Sequence, residues 1–318
     1  MFLQSEKFNK YINDLGINIK HPQKDLLLLN DVFIYPDMEH INSNSTIKYK
    51  QIQSDKIIDK FDYAYIIGSD KSGKTALLKK YCNDLIELGY QVVALKAEEI
   101  KHFSAEQLVK ICSSKFGIKY DNDQSNFVLL IDDFQSLKIS ERYENNFLDS
   151  ISNFFKKIYF FVDKQHFFRD RSKHLNIKFE IFEIKNLGHL KRNELYSKWY
   201  SIGVESLYIQ NDSDFLKKID NLTNHFDLLL RKNVMDAKPM YILTIIQTLD
   251  NINLSRDFSL TSYGHCYNSL ILSLLQKIRV NHNDFDGILN FLSFLAYEMF
   301  TKKIKSISEE DFDILLND

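Results

Sequence analysis

Two places in the chain carry residues whose types and spacing could do chemistry. The first is Gly68-Ser69-Asp70-Lys71-Ser72-Gly73-Lys74-Thr75, which fits the pattern G-x-x-x-x-G-K-[ST] at every fixed position. Its two glycines let the backbone turn sharply and bring its N–H groups close to oxyanions. Those donors, with the roughly half positive charge at the start of a following helix, form an anion cradle that runs from Gly68 to Ala76. Lys74 would reach the β- and γ-phosphates of a nucleotide, and the Thr75 hydroxyl would hold Mg²⁺. The second place is the acid pair Asp132-Asp133, directly after Phe127-Val128-Leu129-Leu130-Ile131. At the carboxyl end of a strand, Asp132 is placed to hold Mg²⁺, directly or through water, and Asp133 to orient or deprotonate an attacking water. The bland alternatives are a glycine turn before a solvated lysine-bearing helix, and a strand that ends in two acidic turn residues.

The flanking residues decide between these. Tyr63-Ala64-Tyr65-Ile66-Ile67 before the glycine loop reads as a buried strand, and Ala76 to Leu85 after it as a helix that ends at Gly89. Strand, glycine loop, helix is the context in which the motif binds phosphate. The pattern then alternates. Strands are expected at Gln91–Ala97, Phe127–Asp133, Ile158–Asp163 and Lys178–Ile184, the last alternating as an edge strand does. Helices are expected at Ser104–Cys112, with Ser104 and Gln107 in capping-box spacing, and at Glu141–Lys157. The expected fold is α/β: a five-stranded parallel sheet in the order 5-1-4-3-2 with helices on both faces. Phe154, Phe155, Tyr159, Phe160 and Phe161 read as its core.

Ahead of the loop, Lys7–Asn13 reads as a short helix, Asp31–Met38 as a strand ended by Tyr35-Pro36, and residues 40–52 as a polar linker. After Leu187 only helical patterns remain, at His189–Ser201, Asp214–Leu230, Pro239–Leu249, Ser262–Ile278, Asp284–Phe300 and Ser308–Leu316. The implied domains are 1–54 as N-terminal segment and linker, 55–187 as the nucleotide domain, 188–260 as a helical domain and 261–318 as a further helical region.

Bulk properties exclude several classes. The 318 residues are 44% hydrophobic and 26% charged, as in a globular protein able to bury a core. A net charge of −2 with no long basic stripe gives no sign of a dedicated nucleic-acid binder. No apolar run reaches the ~18 residues of a membrane span, and the first residues lack a signal-peptide pattern, so a cytoplasmic location is expected. Cys82, Cys112 and Cys266 are widely spaced, which fits buried thiols in a reducing compartment. The N-K-x-D pattern that reads guanine is absent, which favours ATP.

The phosphate loop, the strand with paired acids, two further strands and a helical region resemble the STAND class of P-loop NTPases, the signalling ATPases that include the NACHT and apoptotic-ATPase groups. The similarity extends to bacterial members whose ATPase follows an effector domain. It is carried by Leu29–Asp37, Arg192–Trp199, Lys238-Pro239, Thr261–Tyr267, and Phe291–Leu316, which resembles the start of a winged helix. The resemblance implies an ATP/ADP switch with slow, Mg²⁺-dependent hydrolysis, ATP-dependent homo-oligomerisation, and a role in bacterial antiviral defence signalling. It also implies that Pro239 is an adenine-side contact, although Ala237 stands where the family has glycine. No effector domain precedes Met1 and no sensor repeat follows Asp318, so a core module, a natural short form or a fragment is expected. The fourth strand ends in Asp163-Lys164 rather than arginine, which leaves a phosphate-sensing arginine unassigned; Arg169 and Arg171 read as solvated. Trp199 reads as core, His265-Cys266 lacks the second half of a zinc site, and Tyr35-Pro36 reads either as a border of the nucleotide base or as a packing pair. An ordinary P-loop ATPase or small-molecule kinase, and a scaffold with an empty loop, are the competing readings.

Overall fold

The strands are β1 (Asp37–His40), β2 (Lys50–Gln53), β3 (Tyr63–Gly68), β4 (Gln91–Lys96), β5 (Phe127–Asp132), β6 (Lys157–Asp163) and β7 (Glu180–Ile184), and they form one sheet in the order β2-β1-β7-β3-β6-β5-β4. They belong to a computed structural model that describes residues 5–41, 50–120, 126–169, 179–204, 213–231, 236–251, 280–304 and 307–317, with Ile271 and Leu275. Five strands, β7-β3-β6-β5-β4, are mutually parallel and run in the expected order. The full sheet corrects that expectation in count and order. Strands β1 and β2 pair antiparallel and extend it to seven, with Met38 opposite Ile52 on one side and Ile184 on the other. Strand β7 is therefore interior, although its alternation reads as an edge.

The described helices are α1 (Glu6–Asn13), α2 (Leu29–Val32), α3 (Ile57–Lys60), α4 (Lys74–Glu87), α5 (Ala105–Phe116), α6 (Glu141–Phe154), α7 (Lys164–Arg169), α8 (His189–Ser201), α9 (Ser213–Arg231), α10 (Pro239–Asn251), α11 (Phe285–Thr301) and α12 (Glu309–Asn317). Both faces of the central strands are covered: every residue of β5 is buried, and successive strand side chains point to opposite faces. On one face Tyr81 of α4 meets Tyr159 and Phe161. On the other, Tyr65 and Phe160 pack with Phe134, Phe179 and, at 5.6 Å from Tyr65, Phe167 of α7.

The N-terminal expectations need two corrections, and the open reading of Tyr35-Pro36 narrows to one. Residues Leu29–Val32 form a turn of helix, held by an Asp31 carboxylate that accepts from the Leu28 N–H, and the strand begins only after Pro36. Lys50–Gln53, expected within a linker, is strand β2; residues 42–49 lie outside the described residues. Tyr35 donates to Asp84 at 2.6 Å, ten residues along α4 from Lys74 and hence about 15 Å from the loop, so Tyr35-Pro36 is a packing pair. Helix α1 packs on α4 through the buried Lys79, whose ammonium donates to Asp14 O and Oδ2 at 2.7 and 2.9 Å. Further along, the helix expected to reach Lys157 stops at Phe154, and Lys157 opens β6.

By compactness the chain divides into two units, Met1–Ile252 and Asn253–Asp318. In the first, α8 packs on α2 and α9; Trp199 is fully buried, and His21 approaches its ring edge-on and its carbonyl at 3.2 Å. In the second, Ser308 caps α12 by accepting from Asp311 N at 3.1 Å. Ser262–Ile278, but for Ile271 and Leu275, and with it the stretch Thr261–Tyr267, His265 and Cys266, lies outside the described residues. No described helix is long and apolar enough to cross a membrane.

Phe8 of α1 is fully buried and meets the Phe116 ring edge-on at 4.9 Å. Phe8→Ala is expected to lower unfolding stability by about 3–5 kcal/mol in urea denaturation. A change near zero would show that the first helix is an appendage rather than part of the core.

Candidate phosphate-binding site

The sequence makes the loop where β3 ends and α4 begins. Gly73 takes φ +96°, a left-handed conformation open to glycine, and caps α4 directly before Lys74. Gly68 is required for a different reason. A Cβ there would run into Ser72 Oγ and lie 3.3 Å from Lys74 Cγ. Ser72 N donates to Ser69 O at 3.2 Å and closes the turn, while Lys71 takes the strained φ +58°. The Ser72 hydroxyl is buried and has no hydrogen-bond partner among the described residues. A buried hydroxyl without a partner inside a turn of backbone donors suits an oxyanion that would complete it. Asp70 points away, its side chain 81% exposed.

Lys74 donates to Gly68 O at 2.8 Å and Ser69 O at 3.0 Å, and its ammonium lies 4.0 Å from Asp163 Oδ2 at the end of β6. Burial pulls its pKa below the usual lysine value, against the opposing pull of Asp163, Asp133 and Asp132. Thr75 Oγ1 donates to Asp132 Oδ2 at 2.7 Å. This bond joins the first turn of α4 to the end of β5 and brings together the two residues expected to hold Mg²⁺. Asp132 is 1% exposed, and burial pushes its carboxyl above the usual carboxylate range, offset by the Thr75 bond. A buried carboxylate beside a hydroxyl is an oxygen donor set that suits a hard divalent cation.

Asp133 lies just past the end of β5, in a left-handed turn with φ +50° and ψ +44°. Its N–H donates to Asp132 Oδ1 at 3.2 Å, and its Oδ1 accepts from Gln135 Nε2 at 3.3 Å. Gln135 Oε1 in turn accepts from Asp163 N at 3.0 Å. Gln135 is a residue that strand and acid patterns do not single out, because its position becomes informative only once β5 and β6 are neighbours.

Pro239 lies near the loop. A methyl on Gly73 would lie 3.9 Å from Pro239 Cγ. The approach is set by a hydrogen bond from Leu187 N to Ala237 O at 2.8 Å, and Leu187 O accepts from Arg192 Nη1 at 3.1 Å. Two residues past Pro239, the Tyr241 ring carries the ammonium groups of Lys71 at 6.0 Å and Lys238 at 5.8 Å. The structure therefore collects Gly68–Ala76, Asp132, Asp133 and Pro239 in one place. Arg171 lies outside the described residues, as does the side chain of Arg169.

The parallel strand order, the glycine loop between β3 and α4, and the acid pair at the end of β5 define a P-loop NTPase fold. No family model matches the chain, and no curated protein matches it. Solved structures with a similar course include domain III of the Thermotoga maritima replication initiation protein DnaA, at 19% identity and TM-score 0.39 over 71% of this chain and 90% of that one. Hsp104 is similar at 12% identity and TM-score 0.42 over 76% of this chain and 44% of its own. Thermotoga maritima RuvB is similar at 16% and 0.33 over 72% and 74%. The fold assignment rests on the strand order and the loop rather than on these likenesses.

Gly68→Ala is expected to lower the melting temperature and destabilise the fold by about 1–3 kcal/mol through the clash with Ser72. Adding Ser72→Ala removes the clashing hydroxyl and should recover part of that loss. Additive losses in the double variant would show that the loop accommodates Gly68→Ala by another route.

Proposed function

We propose that the chain binds ATP and ADP with Mg²⁺ at Gly68–Ala76 and hydrolyses ATP slowly, as a nucleotide-controlled signalling switch of the STAND type in bacterial antiviral defence. The observation that carries the nucleotide reading is the Thr75–Asp132 hydrogen bond, which places a hydroxyl and a buried carboxylate at the start of the phosphate loop's helix. The loop N–H groups and Ser72 would take the phosphates, and Lys74 would exchange its two carbonyl partners for phosphate oxygens. Thr75 and Asp132 would hold Mg²⁺, which when bound neutralises phosphate charge. Asp133 would orient the attacking water and accept its proton.

The switch reading rests on the family resemblance and is supported by the closeness of Pro239 to Gly73. A nucleotide that moved the loop toward Pro239 would act on the head of α10. Effector and sensor parts, supplied by other domains or partners, would give input and output, and ATP-dependent self-association would join them.

Lys74→Ala should abolish nucleotide binding in calorimetric titration. Asp133→Asn should keep binding and lower hydrolysis by about 100-fold or more. The purified protein should retain ADP as a smaller particle and grow in mass with ATP, as read by light scattering. Equal ATP affinity in wild type and Lys74→Ala would sink the nucleotide reading. Steady turnover at ~1–100 per second with a small-molecule acceptor would replace the switch with a kinase.

A further inference from the structure

The ladder between β5 and β6 has its last registered pair at Ile131 and Phe160. Past it each strand keeps only its other neighbour: Asp132 stays in register with Lys96 of β4, and Asp163 with Gly68 of β3. This leaves a gap in the β5–β6 ladder at the carboxyl end of the sheet, between Asp133 just past β5 and Asp163 at the end of β6. One side chain spans it. Gln135 Oε1 accepts from the Asp163 N–H at 3.0 Å, and Gln135 Nε2 donates to Asp133 Oδ1 at 3.3 Å. The orientation of the amide is fixed by chemistry. A backbone N–H can only donate, so it must face the oxygen, and the nitrogen is left for the carboxylate.

We propose that Gln135 is a positioning residue of the candidate site, a side-chain bridge that replaces the missing rungs between β5 and β6 and fixes the Asp133 carboxylate relative to Lys74. The inference rests on the reading of Asp133 as the group that acts on water. The bridge closes a ring of contacts: Thr75 to Asp132, the Asp133 N–H to Asp132, Gln135 to Asp133, Asp163 to Gln135, and Asp163 to Lys74, the chain neighbour of Thr75. The Asp163 carboxylate is itself held, since Oδ1 accepts from Gln165 N at 2.9 Å and His166 N at 3.4 Å at the start of α7. With one Asp133 oxygen engaged by an amide donor, the carboxylate keeps a set direction and its second oxygen stays available to water. Gln135 touches neither nucleotide oxygens nor metal in this assignment. It acts through Asp133 and Asp163.

Gln135→Met keeps the length and loses both bonds. Gln135→Glu keeps an acceptor for the Asp163 N–H and loses the donor to Asp133. The test measures MgATP turnover, ADP affinity by calorimetry, and exchange of the Asp163 amide in nucleotide-free protein by NMR. Both variants should lose turnover, on the order of 10- to 100-fold for a misplaced group, with ADP affinity held within about twofold. The Asp163 amide should exchange faster in Gln135→Met and stay protected in Gln135→Glu. That split separates positioning from a merely structural role. Unchanged turnover in Gln135→Glu overturns the inference, as does a loss of affinity in step with turnover. Should Gln135→Met fail to fold, Gln135→Glu alone decides by the same two readouts. A wild type that turns over no faster than Asp133→Asn overturns the hydrolytic reading and this inference with it, whereas normal wild-type turnover with unaffected Gln135 variants overturns this inference alone.

Discussion

A carboxylate withdrawn from water at the end of a strand constrains much of this molecule. Asp132 is 1% exposed, and an ionised carboxylate in such a place costs several kcal/mol unless it is partnered. Its partners here are the Thr75 hydroxyl and the Asp133 N–H. Both come from turns rather than from regular ladder positions, so each turn must be held where it is. The Thr75 bond fixes where α4 begins relative to β5. That in turn fixes the glycine loop, because Gly73 precedes α4 directly and Gly68 ends β3. Lys74 has a matching problem: its ammonium is largely buried and is satisfied by two loop carbonyls. Two costly charges, each hydrogen-bonded only to neutral groups of the loop and its turns, are what a site built to exchange those partners for a ligand would contain.

The acid turn is anchored from below. Asp133 sits in a left-handed conformation that aspartate tolerates better than most residues. The next residue, Phe134, is 3% exposed and stacks on Phe160 at 4.1 Å, with Tyr65 on its edge. A buried aromatic carries a large apolar area and a defined orientation, so the backbone on either side inherits its position. The aromatic layer on this face of the sheet is thus part of the site's support. It fixes the base of the turn, and the Gln135 amide fixes its outer side.

The parallel core was legible because it depends on periodicity and local chemistry. Apolar runs gave β3 to β7, Gly89 closes α4, and the loop motif placed Lys74 and Thr75 at a helix start. What was not legible depends on partners distant in sequence. Lys50–Gln53 is polar and short, and becomes a strand because β1 lies beside it. The alternation of β7 suggests an edge, yet β1 covers that edge from a segment about 140 residues earlier in the chain, as the partners Glu39 and Glu183 show. The helix at Leu29–Val32 is set by one side chain, Asp31, that caps it from within, while the apolar residues after it favour extended chain. In the site, the loop and acid pair announced themselves by spacing, whereas Gln135 needs two strands brought together before its amide has anything to join.

Pro239 shows how the helical part of the first unit can be coupled to the loop without a hydrogen bond. As the first residue of α10 it has no N–H to offer and its ring is rigid. Its ring stands about a methyl's width from Gly73, and it is held there by the Leu187–Ala237 bond that ties α10 to the chain just beyond β7. A ligand can shift such a contact only as far as it binds the two arrangements differently. A rigid ring this near a glycine at φ +96° leaves space for a small shift of the loop and none for a large one, so a displacement at Gly73 toward Pro239 beyond that space would have to be taken up by α10.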